Sequence, residues 1–214
     1  GIRMIKAATY IIGLALVLTA LAGCSREPAR DPLRDGAVVL AFGDSVTHGT
    51  GAGSGQGYPE LLARETGWSV INAGVPGDTA GRAVTRIGSL LDRYEPELVI
   101  VELGGNDFLR QRPEGQVKED LRAILHACHD AGITAVLVAV PRLSLLRAGI
   151  GALADSPIYR ELAEEEQVPL IAGVFSAVIS DESLRADRIH PNAQGYRELT
   201  AGFVHALRDI GLAR

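Results

Sequence analysis

Short, unbroken apolar runs recur along this chain, each followed by a stretch with helical spacing. That alternation constrains the fold more than any other feature of the sequence. Ala37 to Phe42, Val70–Ile71, Leu98 to Leu103, Ile133 to Val140 and Val168 to Ile171 read as strands. Runs of this kind, with no polar face, belong to strands that are covered on both sides. Between them, Tyr58 to Glu65, Ala80 to Tyr94, Gln116 to Ala131, Pro157 to Gln167 and about Asn192 to Ile210 read as helices. In the last of these, Tyr196, Leu199, Phe203 and Leu207 share one face. The pattern predicts an α/β domain, a flavodoxin-like three-layer α/β/α arrangement around a five-stranded parallel sheet of order 2-1-3-4-5. Such sheets bind ligands outside the carboxyl ends of their strands, so any chemistry should sit just after the apolar runs.

The N-terminal segment has a different purpose. Arg3 and Lys6 precede an apolar stretch from Ala7 to Ala22 that ends in Leu21-Ala22-Gly23-Cys24. A charged start, a short apolar run and small residues at its end make a secretory signal. A membrane-spanning helix needs about 20 apolar residues, more than this run offers. The L-A-G-C ending resembles the bacterial lipobox, which implies cleavage before Cys24 and lipidation of its thiol. An uncleaved anchor, or a plain signal peptide with a chance cysteine, are the alternatives, and each still exports the domain. Met4 is a candidate start. The expected organisation is a signal peptide over residues 1–23, a charged, proline-containing tether over 24–36, and one domain over 37–214. With a formal net charge of -5 the chain has no electrostatic attraction to anionic lipid or nucleic acid, so a lipid on Cys24 must supply any membrane attachment.

Polar blocks do follow the apolar runs. They are Gly43-Asp44-Ser45, the stretch Asn72 to Thr79, Gly104-Gly105-Asn106-Asp107, and Asp187 to Asn192. The topology gathers all four at one edge of the sheet. A serine hydroxyl is a weak nucleophile and needs a base, and the base needs an orienting partner. Ser45, at a strand-to-helix turn, is the candidate nucleophile; His190 is the candidate base, and Asp187, three residues earlier, its orienting carboxylate. A tetrahedral intermediate also needs donors for its oxyanion. The Ser45 and Gly77 backbone N–H groups and the Asn106 side-chain amide are the candidates.

These blocks resemble those of the SGNH or GDSL hydrolases: G-D-S at 43–45, a glycine block ending in Gly77, G-G-N-D at 104–107 and D-x-x-H at 187–190. Each is weak alone, but their order and their positions after strands make the set specific. V-I-N-A-G-V-P-G-D-T and V-E-L-G-G-N-D look closest to the bacterial arylesterase, thioesterase and lysophospholipase branch. The resemblance implies hydrolysis of a small acyl ester or thioester, lipids among the candidates, through an acyl-Ser45 intermediate, with no cofactor and no metal. Val46 replaces the family's usual leucine at a position without chemistry. Gly74 competes with Gly77 for the glycine block, and the branch favours Gly77. A carbohydrate O-acetylesterase of the same fold, or a non-catalytic lipid-anchored binding protein, are the competing readings.

Other features carry less. Cys128 falls in the apolar row Leu121, Ile124, Leu125, Cys128 and reads as a buried thiol. His126 and His129 lie off that row, on a solvated face. Asp44 and Asp107 read as loop-shaping residues that bond local backbone N–H groups, not as a metal pair. The glycine-rich stretch from Gly49 to Gly57 lacks the Lys-Ser/Thr ending of a phosphate loop and reads as a pocket rim beside His48. A G-x-S-x-G elbow, an S-x-x-K and an H-E-x-x-H are all absent.

Overall fold

The computed structural model describes residues 31–142 and 153–214. The expected signal peptide, Cys24 and residues 25–30 of the expected tether lie outside the described residues. Five parallel strands form one sheet in the order β2-β1-β3-β4-β5. They are β1 (Val38–Gly43), β2 (Ser69–Gly74), β3 (Leu98–Glu102), β4 (Thr134–Val138) and β5 (Leu170–Ile171). This is the flavodoxin-like order that the alternation of strand and helix predicts. In the middle of the sheet, Val39 to Phe42 and Leu98 to Val101 have no exposed surface. Each Val, Leu, Ile or Phe among them contributes about 1.5–3 kcal/mol when fully buried.

The helices are α1 (Ser45–His48), α2 (Tyr58–Thr66), α3 (Ala80–Tyr94), α4 (Gly105–Leu109), α5 (Glu114–Asp130), α6 (Ile158–Glu166), α7 (Val174–Ser180) and α8 (Ala193–Asp209). A 3₁₀ turn over Glu182–Leu184 precedes the last. They pack in two groups: α3 with α5 and α5 with α6, and separately α2 and α7 with α8. The apolar face foreseen on α8 is buried, with Phe203 meeting Tyr58 of α2 edge-to-face at 5.1 Å between ring centres. Thr79 and Asn192 cap α3 and α8 by accepting the N–H of Arg82 and Gly195.

Three features depart from the sequence reading. β2 is six residues long, but as a half-exposed edge strand it shows only Val70–Ile71 as an apolar pair. α4 and α7 were not foreseen. α4 is a five-residue helix too short for periodicity to show, and α7 is V-F-S-A-V-I-S, whose β-branched residues hide a helix. Cys128, in contrast, is buried as expected, and burial pushes its thiol up to about 12.

What matters for the site is the level at which the strands end. Gly43 pairs with Gly74 on β2 and with Glu102 on β3. Three adjacent strands therefore finish together, and the segments that leave them start from one line.

Candidate active site

Ser45 is the first residue of α1, directly after β1. Asp44, not Ser45, caps this helix: its Oδ1 accepts the Val46 N–H at 3.1 Å. Ser45 Oγ lies 2.9 Å from His190 Nε2, and His190 Nδ1 lies 2.7 Å from Asp187 Oδ2. An ionised carboxylate only accepts hydrogen bonds, so Nδ1 carries the proton and Nε2 presents its lone pair to the serine hydroxyl. The second oxygen of Asp187 accepts the backbone N–H groups of Ile189 at 2.8 Å and His190 at 2.9 Å. The i, i+3 spacing foreseen from the sequence closes as a tight turn, and Asn192 pins that turn by donating to the Ser183 and Arg185 carbonyls. Partial burial works to raise the Asp187 carboxyl. The hydrogen bonds from the His190 ring and the two amides outweigh it and hold Asp187 below the usual carboxylate range.

Asn106 stands at the start of α4, after β3. Its Nδ2 donates to Asp44 Oδ2 at 2.9 Å, which fixes the amide with one N–H left for a ligand. Ser45, Asn106 and His190 line a small cleft of about 10 Å³ together with Leu109, Phe175 and Ile189. Gly77 lies in the turn between β2 and α3, where its carbonyl accepts the Arg110 guanidinium at 3.1 Å. Its backbone is left-handed, at φ 77°, and a side chain there would point into open space, with Arg110 Nη2 the nearest atom at 3.9 Å. Gly74 is a glycine for another reason, because any Cβ would fall 2.2 Å from the His48 backbone nitrogen. Of the two, Gly77 has the conformation and the open approach of an oxyanion donor.

Asp44 is buried, and burial is the main cause that pushes its carboxyl up to about 6, against the bonds from Val46 and Asn106. It is a local loop-shaper, as expected, and also the anchor of Asn106. Asp107 corrects the expectation of purely local bonds. Its Oδ2 accepts the distant Ala80 N–H at 2.9 Å and its Oδ1 pairs with Arg112, so it joins the block after β3 to the start of α3. His126 lies on an exposed face, as expected, though Nε2 reaches Glu166 at 2.7 Å. Among the described residues no cluster of three or more histidines, cysteines or acids is arranged to hold a metal.

Some contributors escaped the sequence reading. Arg86 Nε binds Asp78 at 2.8 Å while its Nη atoms donate to the Ala73 and Gly43 carbonyls, both at 2.9 Å; its guanidinium stacks on Phe42 at 4.1 Å. One side chain thus fastens the Gly77 turn to the end of β1. Tyr159 donates to the Leu103 carbonyl at 2.7 Å and steadies the start of the Asn106 block. Neither position stands out by spacing or composition. Glu102 does leave a signal, as the lone acid inside V-I-V-E-L.

A serine–histidine–aspartate chain set at the strand ends of a flavodoxin-like parallel sheet, with amide donors alongside, is the apparatus of a serine hydrolase. The chain belongs to the GDSL-like lipase/acylhydrolase family, whose model matches residues 41–198, and it is an ester hydrolase. It is 34% identical over 160 residues to the thioesterase 1/protease 1/lysophospholipase L1 of Escherichia coli K12, covering 72% of this chain and 75% of that protein. An arylesterase of Vibrio mimicus is 32% identical over 165 residues, or 73% of this chain and 80% of the other. The crystal structure of AlinE4, an SGNH-hydrolase family esterase, superposes with a TM-score of 0.61 at 31% identity, covering 83% of this chain and 97% of its own.

Proposed function

We propose that this protein is an exported, lipid-anchored esterase or thioesterase in which Ser45, His190 and Asp187 are the catalytic triad. The observation that carries the reading is the continuous chain Ser45 Oγ–His190 Nε2 and His190 Nδ1–Asp187 Oδ2, at 2.9 and 2.7 Å. Ser45 Oγ attacks the acyl carbon as Nε2 takes its proton. Asp187 keeps the imidazole in the required tautomer and stabilises the imidazolium. The Ser45 and Gly77 N–H groups and the Asn106 amide receive the oxyanion. Collapse of the intermediate breaks the bond to the alcohol or thiol, which leaves with the proton from His190. Water then gives a proton to Nε2 and adds to the acyl-serine, and as the bond to Ser45 Oγ breaks and the acid leaves, Nε2 returns that proton to Oγ.

The relatives' names put thioesters, lysophospholipids and aryl esters among the substrates to try. A second reading has its own support. The cleft beside Ser45 is small, whereas a groove of about 580 Å³ begins at His48, one turn along α1, and is lined by Glu60, Asn72 and the glycine-rich rim. A short acyl group suits the first and a polar alcohol the second, which favours an O-acetylated carbohydrate.

Two experiments test these readings. A fluorophosphonate probe should label the wild type and fail on Ser45→Ala; equal labelling of both would end the triad assignment. Hydrolysis of p-nitrophenyl esters from acetate to decanoate, beside acetate release from acetylated xylan, then separates the substrate readings. The anchor is tested apart from the chemistry. Cys24→Ser should move the protein from the membrane fraction to the soluble one at unchanged kcat, and a variant still in the membrane would refute lipidation at Cys24.

A further inference from the structure

Glu102 ends β3 directly beneath the nucleophile. It is 1% exposed, and its neighbours Thr47 and Tyr58 are wholly buried. The Thr47 hydroxyl donates to Glu102 Oε2 at 3.0 Å and lies 2.9 Å from the Tyr58 hydroxyl, so one O–H chain runs from α2 through α1 to β3. Thr47 sits two residues after Ser45 and presses against the bare α-carbon of Gly43, where a Cβ would stand 2.0 Å from Oγ1. Glu102 also lines the cleft beside Ser45, and its Oε1 has no hydrogen-bond partner among the described residues. A one-turn helix has no stability of its own. Something outside α1 must therefore set the height and direction of the Ser45 hydroxyl.

We propose that Glu102 is a positioning residue for the nucleophile, holding α1 through the Thr47 hydroxyl so that Ser45 Oγ meets His190 Nε2. It does so as an uncharged acid. The groups that face it are Asp44 of the nucleophile turn, the tyrosines Tyr58, Tyr159 and Tyr196, and His190 across the shared cleft, with no Lys or Arg among them. Burial first, and the charge of Asp44 second, keep its carboxyl well above the usual range, and the nearby Asp44 and Thr47 amides offset this only in part. A second anion beside Asp44 would oppose the oxyanion that forms above it; a neutral acid accepts the Thr47 hydroxyl without that penalty.

The inference rests on Ser45 being the nucleophile, which the probe reaction of Ser45→Ala tests separately. Its own test uses Glu102→Gln, Glu102→Leu, Thr47→Val and Thr47→Ser, with kcat, KM and the rate of fluorophosphonate labelling measured for each. Glu102→Gln keeps a neutral acceptor, so it should stay within about threefold of wild type in kcat and keep the wild-type pH–rate profile. Glu102→Leu and Thr47→Val should lose roughly 10- to 100-fold in kcat and in labelling rate, with KM within twofold, and Thr47→Ser should restore both. Should Glu102→Leu fail to fold, the Thr47 pair carries the same comparison. A Glu102→Gln enzyme as impaired as Thr47→Val would show that the charge matters and overturn the proposal. So would wild-type labelling in a folded Thr47→Val.

Discussion

Two sets of carboxylates in this molecule respond to pH in opposite senses. On the outer face, Lys118 and Arg122 of α5 bridge to Glu161, Glu165 and Glu166 of α6, with Lys118–Glu165 and Arg122–Glu165 both at 2.8 Å. Hydrogen bonds from Lys118 and Arg122 hold Glu165 below the ordinary range, and bonds from His126 and Arg122 outweigh partial burial to do the same for Glu166. Beneath the nucleophile, Asp44 and Glu102 are buried and both are raised, burial outweighing the pull that the His190 charge exerts on Asp44. A lowered carboxyl adds stability that is present above its unfolded value and lost as pH falls through its folded one. A raised carboxyl does the reverse: the unfolded chain gives up its proton first, so stability falls as pH rises between the two values. The surface arrangement favours the fold at neutral pH; the buried one opposes it, and its place at the strand ends beside Ser45 points to function as the reason for it.

That contrast breaks first at the triad, where the largest effects should lie. His190→Ala is expected to lower kcat by about 10⁴-fold or more, with Asp187→Asn retaining more activity than His190→Ala because orientation is only partly lost. Full activity in Asp187→Asn would remove the carboxylate from the mechanism. Asn106→Ala removes one oxyanion donor and should cost about 10²–10³ in kcat with KM little changed. A rise in KM alone would make Asn106 a ground-state binding residue instead.

Asp44→Asn sharpens the contrast, because it should separate stability from activity. The shift of Asp44 from 3.8 to about 6 corresponds to about 3 kcal/mol of stability lost between those pH values. The variant, having no proton to lose, should gain in thermal midpoint relative to wild type as pH rises from 4 to 7, while the two converge below pH 4. Its kcat should fall about tenfold, since a neutral amide holds Asn106 less firmly than a carboxylate does. Parallel melting curves across that range would mean that Asp44 is not raised.

The sequence made the sheet order and the meeting of Ser45, His190 and Asp187 legible because both depend on strong local signals. Central strands such as Ala37–Phe42 and Leu98–Leu103 have nowhere to go but a doubly covered sheet, and Asp187 and His190 sit in one turn. The edge strand β2 was half hidden, since an exposed face dilutes the apolar run that marks a strand. The bonds that support the site were hardly visible. Arg86 joins carbonyls at 43 and 73, and Glu102 meets Thr47 across 55 positions of chain. Such pairings follow from the register of the sheet and not from any spacing along it. The exception is Glu102 itself, because an acid in an otherwise apolar strand must find a partner or stay protonated.

The smallest effects should come from the α5–α6 ladder, although it holds more ion pairs than the floor of the site. Its carboxylates at Glu161 and Glu165 are about half exposed, and water screens them and competes for the same hydrogen bonds, so much of the attraction is lost. Arg122→Gln removes three carboxylate contacts at once. It should nevertheless lower the thermal midpoint by no more than about 3 °C in dilute buffer, and by still less in roughly 1 M salt, where the Debye length shrinks to about 3 Å. The activity should not change, because nothing in the ladder reaches the strand ends. The loss should also fade as pH falls below the glutamate range, just as the gain in Asp44→Asn does, but the two differences have opposite signs. A salt-insensitive loss would instead assign the effect to the packing of the arginine stem against α6, and the two carboxylate sets would then differ in degree of burial alone.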